Sequence, residues 1–170
     1  MLSIKNNDLQ IALAPVSLKV KIVRLKIVTK DTWDIYAPVV GGGTNTMDCV
    51  EDFIGQHIQQ HEAACSGLLA LIEAAAEHPE GPKSLGNALC HYVSNPHEPK
   101  IYEFIKGRLR LLWFYGEGRR VIICAHGFFK ASKKTPRCEV ERALEIREQY
   151  LEAHNNNNIE ILVEDGNEHS

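Results

Sequence analysis

Between Gly127 and Pro136 the chain reads Gly-Phe-Phe-Lys-Ala-Ser-Lys-Lys-Thr-Pro, crowding Lys130, Lys133 and Lys134 into five residues beside two aromatic rings. Upstream, Arg108 and Arg110 are spaced so that an extended strand puts both on one face. Folding that strand back on its neighbour would bring the arginines to the lysine loop and make a concave cationic site without an obvious carboxylate in it. Such a cluster suits phosphate, because arginine grips its oxygens in a planar fork and lysine supplies a movable ammonium. Crowded ammonium groups disfavour one another's charge, so a lysine in such a site can serve as a general base. The bland alternative is a solvated, exposed lysine loop, and pattern alone leaves the two level.

Other candidates carry less. His57, His61 and Cys65 recur every four residues, so on one continuous helix they would share a face and could bind zinc. The segment His57-Ile58-Gln59-Gln60-His61 lacks the glutamate of a metalloprotease helix, and no fourth ligand is in view. Packing on a half-buried helix is the better expectation, and neither a metal nor a cofactor is expected. Gly41-Gly42-Gly43 lacks the Gly-Lys-Ser/Thr ending of a phosphate loop and reads as a flexible connection. Cys90-His91 reads as a chance pair. Trp113 and Phe114 lie inside an apolar run and read as core rather than a base-stacking platform.

The elements that must position these groups follow from the apolar pattern. Leu18 to Val28 alternates apolar with basic residues and slips at Ile22-Val23, where a strand would carry a bulge or end. A short strand is expected over Thr32–Ala37. Asp48 is the expected N-cap of a helix with Val50, Phe53, Ile54, His57, Ile58 and His61 along its stripe, and Ser66-Gly67 is the expected break before a second helix. His78-Pro79-Glu80-Gly81-Pro82 ends that helical hairpin. Strands are expected over Tyr102–Lys106, Arg108–Tyr115 and Arg120–Ala125, the last two joined through Gly116-Glu117-Gly118. A final helix is expected with Thr135 as N-cap, Pro136 at the first helical position, and Val140, Ala143, Leu144 and Leu151 facing inward. The order predicts an α+β fold, a small antiparallel sheet with an N-terminal helical hairpin and a C-terminal helix.

The 170 residues, 44% hydrophobic and 24% charged, describe an ordinary globular chain and exclude a fibrous or fully disordered one. Apolar runs stay far short of the roughly 20 residues a membrane-spanning helix needs, and Asp8 with a nearby proline interrupts any secretory pattern, so a cytoplasmic location is expected. Five cysteines, an odd number without a C-x-x-C pair, read as buried free thiols. The net charge of −3 conceals segregation. Residues 1–30 hold six Lys/Arg and one acid, 31–105 two and eleven, 106–147 eleven and four, and 148–170 none and six. Fields act locally, so the third block is where a polyanion would dock. Residues 1–30 are set apart as a basic N-terminal extension, 31–152 as the functional domain, and 153–170 as a loose acidic tail.

Lys106-Gly107-Arg108-Leu109-Arg110-Leu111-Leu112-Trp113-Phe114-Tyr115, then Val121-Ile122-Ile123-Cys124-Ala125-His126-Gly127-Phe128-Phe129-Lys130, resembles the phage-derived HigB-type branch of the RelE toxin superfamily. Ser132-Lys133-Lys134-Thr135-Pro136, with Glu139, Ala143 and Arg147, is similar to that family's ending. The likeness is good over residues 102–151 and only topological over 33–100. It implies the toxin of a type II toxin–antitoxin pair: a metal-independent endoribonuclease that cuts mRNA, generally on the ribosome, and is neutralised by a helix-turn-helix antitoxin. In the implied reaction the ribose 2′-hydroxyl attacks the adjacent phosphorus, leaving a cyclic phosphate and a free 5′-hydroxyl. Under the resemblance Arg110 stabilises the phosphorane-like transition state. Lys130 is the base or charge stabiliser, and His126 is either an acid or a satisfied structural histidine. Lys106, Arg108, Lys133 and Lys134 hold the RNA backbone. The family usually carries an arginine after a Glu-Leu pair in the strand before the hairpin; here Glu103-Phe104 is followed by Ile105. A catalytically weak RNA- or ribosome-binding module of the same fold, and a docking partner for an acidic protein, are the alternatives.

Overall fold

The computed structural model describes residues 21–163. The long alternating and apolar runs become strands β1 (Val23–Lys30), β2 (Asp34–Pro38), β4 (Tyr102–Lys106), β5 (Leu109–Tyr115) and β6 (Val121–Phe129), with the short β3 (Cys90–Tyr92) and β7 (Ile159–Leu162) added. Helices α1 (Cys49–His57), α2 (Glu62–Glu77) and α3 (Arg137–Asn155) complete the α+β arrangement, with a single 3-10 turn at Gly81–Leu85.

The strands form one seven-stranded sheet in the order β3-β4-β5-β6-β2-β1-β7. This sheet is larger than the expected small antiparallel one, and it is mixed, because β2 pairs parallel with β6 and β1 parallel with β7. Local sequence shows hairpins but not such pairings, which join segments far apart in the chain. In β5 and β6 most positions are buried and none is exposed, as the continuous apolar runs required for strands covered on both faces. On one face Leu111, Trp113, Ile122 and Cys124 pack beneath α1 and α2 with Phe53, Leu68 and Ile72. On the other, Leu112, Phe114, Ile123 and Ala125 pack beneath α3 with Ala143 and Tyr150. Gly127 has a local reason on the first face, since a Cβ there would collide with the Phe53 ring.

Several boundaries move. The β1 strand starts at Val23, and its register shift falls between Ile27 and Thr29 rather than at Ile22-Val23. Residues 1–20 of the basic segment lie outside the described residues. The break between α1 and α2 lies at Ile58–His61; α2 runs through Ser66-Gly67, where Gly67 leaves room for the Lys106 stem. The N-cap of α3 is Pro136, not Thr135, whose hydroxyl is drawn to Glu103 instead. Four cysteines are buried as expected, but Cys138 at the start of α3 is exposed. Among the described residues, no helix is long and apolar enough to cross a membrane.

Candidate active site

The β4-β5-β6 meander sets the cations. Arg110 stands opposite Ile105 on β4 and Phe128 on β6, on the face that α3 covers. The Lys130 amide donates to the Arg108 carbonyl at 2.7 Å, which ties the end of β6 to the turn before β5. A cavity of about 330 Å³ opens there, lined by Arg108, Arg110, Lys130, Ala131, Ser132 and Lys133. The expected union of the arginines with the lysine loop is therefore present. The Arg110 guanidinium donates to the Gly107 carbonyl at 2.7 Å and the Leu109 carbonyl at 2.9 Å, so its head is fixed by backbone rather than free to swing.

The site also contains a carboxylate, contrary to the sequence reading. Glu103 on β4 is fully buried. Its Oε1 lies 3.6 Å from Arg110 Nε, 3.8 Å from Lys130 Nζ and 3.1 Å from His91 Nε2. Its Oε2 accepts from the Thr135 hydroxyl at 2.8 Å. A buried carboxylate is tolerated only with such partners. Arg110 and Lys130 side chains are each only 12% exposed, so this charge pairing is strongly felt. In the sequence Glu103 shows only as a flank of Ile105, and its spacing from its partners carries no local signal: they come from β3, β5 and the loop after β6.

The remaining candidates are placed differently. Lys106 points to the opposite face, with its stem packed over Gly67 of α2. Arg108 sits over the Phe129 ring at 5.8 Å while lining the cavity. Lys134 is exposed on the loop and does not line the cavity; its carbonyl accepts from the Ser132 hydroxyl. His126 is 3% exposed and its Nε2 donates to Glu139 on α3 at 2.8 Å, while Nδ1 faces no acceptor. Burial pulls its pKa below the ordinary imidazole value, and the Glu139 bond only partly offsets that.

His57 and His61 flank the Phe129 ring, 5.9 and 5.0 Å away, while Cys65 is buried in the core. The break between α1 and α2 removes the common helical face they needed. Among the described residues no three His, Cys, Asp or Glu gather around a point that could hold a metal ion. A larger cavity of about 640 Å³ is walled by Cys90, His91, Tyr92, Tyr102, Trp113 and Tyr115. Aromatic rings dominate it, and it lacks the concentrated positive charge that phosphate chemistry needs.

A cation pocket with fixed arginine, partly buried lysine and an ionic anchor can hold a phosphodiester and stabilise charge developing on it. A family model described as phage-derived protein Gp49-like (DUF891) matches residues 62–148, just over half of the chain, and spans every residue lining the cavity. No curated protein matches the chain.

Proposed function

The chain belongs to the Gp49-like phage-derived family, a group of toxin–antitoxin-type toxins allied to RelE that implies an antitoxin partner; from that premise we propose that it is a cytoplasmic mRNA endoribonuclease of the HigB-type branch. It cuts messages on the ribosome, arrests translation, and is held inactive by a helix-turn-helix antitoxin. The observation that carries this reading is the cavity shared by Arg108, Arg110, Lys130 and Lys133. Every one of these residues lies within 31–152, the stretch to which the activity is assigned, whereas β1 and β7 extend the sheet at the far edge.

In the reaction the 2′-hydroxyl oxygen bonds to phosphorus and the bond from phosphorus to the 5′-oxygen breaks. The products are a cyclic phosphate and a 5′-hydroxyl end, the departing 5′-oxygen taking its proton from water. Lys130 in its neutral form takes the 2′-hydroxyl proton, or as an ammonium stabilises the growing charge; roles within the cation cluster are interchangeable. Arg110 faces the equatorial oxygens, where preorganised positive charge lowers the barrier most. Arg108 and Lys133 hold the flanking backbone, with Lys134 beside them on the loop, whereas Lys106, packed over Gly67 on the other face of the sheet, lies off this RNA path. His126, with Nε2 committed to Glu139, is assigned the structural role of securing α3.

One observation favours weak cleavage as the second reading. Ile105 stands directly opposite Arg110, so the neighbour that would be a second arginine in the family is apolar here.

Induced expression of the wild type beside Arg110→Ala and Lys130→Ala, with growth and mRNA 5′ ends recorded, tests both readings. The expected result is growth arrest with new 5′-hydroxyl ends, each substitution lowering cleavage by roughly a hundredfold. Normal growth with intact messages in cells holding folded wild-type protein would overturn the nuclease reading, and salt-sensitive RNA binding without cuts would replace it with the binding module.

A further inference from the structure

We infer that the free edge of β7 is a self-complementary surface, on which a second copy of this chain pairs strand to strand about a two-fold axis at Ile161. The inference stands apart from the cleavage reading, because the cation cavity lies beside β5 and β6, with β2 and β1 between it and β7.

β7 is the last strand of the sheet, paired parallel with β1 on one side and with no described strand on the other. The Val23 amide donates to the Asn158 carbonyl at 3.0 Å. In a parallel ladder the backbone groups of alternate residues serve the same neighbour, so Asn158, Glu160 and Leu162 turn theirs to β1. The N–H and C=O groups of Ile159, Ile161 and Val163, the residue after β7, therefore point off the sheet. Their side chains also share a face, the α3 side, because Ile159 and Ile161 stand beside Val23 and Leu25. Ile161 is 44% exposed and Val163 76%, and Ile27, one place beyond the Lys26–Leu162 pair, is exposed beside them.

Edge strands are ordinarily guarded by lysine, proline or a bulge. β7 has none of these, and its one charge, Glu160, lies on the other face, 3.7 Å from Arg24 of its own chain. An unguarded edge with an apolar stripe invites a further strand.

The sequence of β7 selects a second copy of itself. In antiparallel register centred on Ile161, that residue faces its own counterpart and Ile159 faces Val163. Outward residues then meet outward residues, and each pair exchanges both of its N–H···O bonds. Apolar side chains lie against apolar ones along the seam, and Glu160 stands opposite Leu162. Sliding the strands two residues either way instead sets Glu160 against Glu160 or against Glu164, like charges face to face. Charge also matches at the two ends of the seam. The end of one copy's β7, which leads into Glu164 and Asp165, lies beside the start of the other's β7 and β1, which follows Lys19 and Lys21. So short a seam makes a reversible dimer rather than a permanent one.

The test follows full-length wild type, Ile161→Glu, Ile161→Lys and an equal mixture of the two variants by sedimentation across a concentration series. Amide exchange of the wild type is read at its dilute and concentrated ends. The wild type is expected to pass reversibly from monomer to dimer. At the axis each new charge meets its own like, so either variant alone should raise the dimer dissociation constant at least roughly tenfold. Mixing them should return it to within about threefold of the wild type, because only a two-fold at residue 161 sets the new acid against the new base. The Ile159, Ile161 and Val163 amides are expected to exchange freely in dilute protein and to gain protection as the dimer forms. A wild type that stays monomeric at every concentration would overturn the inference, as would dimers that survive both substitutions in folded variants. Loss in both without rescue on mixing would overturn the two-fold at Ile161. Protection of the three amides that ignores concentration would show the edge covered within one chain and overturn it too, a result that needs no variant to fold.

Discussion

Two buried titratable side chains on the α3-facing side of the sheet are held in opposite ways. Glu103 sits beside two cations and accepts from the Thr135 hydroxyl, whereas His126 has one partner, Glu139, and an Nδ1 with nothing to bond. A second proton on His126 would sit on that unserved nitrogen in a dry site. Burial accordingly pulls its pKa below 6.5, the Glu139 bond opposes the shift, and the nearby Arg142 adds to it. Because the folded form takes up the proton less readily than the unfolded chain, the contribution of His126 is intact above about pH 6.5. It is lost as pH falls through the depressed folded value. Urea midpoints measured downward from neutral pH should therefore fall less steeply for His126→Gln than for wild type; parallel curves would show that His126 does not carry this dependence. At this scale the lysines were legible, because three of them in a short glycine-led loop are unusual, whereas Arg108 reaches the cavity from the turn before β5 rather than from a strand face shared with Arg110. Glu103 was not legible. An acid in a strand ordinarily marks a solvent face, and only partners from distant elements make its burial possible.

Elements were legible where their ends are written in side chains. Asp48 caps α1 as expected: its carboxylate accepts from the Val50 and Glu51 amides at 2.8 and 3.0 Å, and Glu51 returns a bond to the Asp48 amide at 3.0 Å. This box sets the helix that lays Phe53 on Gly127, next to the strand end carrying Lys130. Asp48→Ala should cost about 1–2 kcal/mol in urea unfolding, whereas Asp48→Asn, which keeps a cap oxygen, should cost a fraction of that. Equal losses from the two would mean that the charge of Asp48, rather than the cap bonds, stabilises the helix. The start of α3 misled because Thr135 has the right chemistry for a cap but a stronger use: its hydroxyl donates to a buried carboxylate. The strands β3 and β7 were illegible for a different reason. Each is a stretch of three or four residues at a sheet edge, too short to show alternation, and exists only through pairing with β4 or β1.

At the scale of the molecule, a chain of net charge −3 is proposed to bind a polyanion, which is reasonable only if its positive field is local. The Debye length at physiological salt is about 8 Å, so an RNA strand in the cavity feels Arg108, Arg110, Lys130 and Lys133, offset by Glu103, and little of the distant acids. That set leaves an effective charge of about three, and single-stranded binding should weaken with salt at a logarithmic slope near −2. Lys133→Ala should make the slope shallower by about 0.7, because it removes one phosphate contact without touching the Glu103 anchor. Lys106 provides the control. Sequence position places it among the RNA contacts, but its stem lies over Gly67 on the other face of the sheet. Lys106→Ala should therefore leave the slope unchanged, as read by anisotropy of a labelled single-stranded RNA from low to physiological salt. If Lys106→Ala shallows the slope as much as Lys133→Ala, the strand must wrap around the end of the β4–β5 hairpin, and the RNA path would have to include both faces of the sheet rather than the cavity alone.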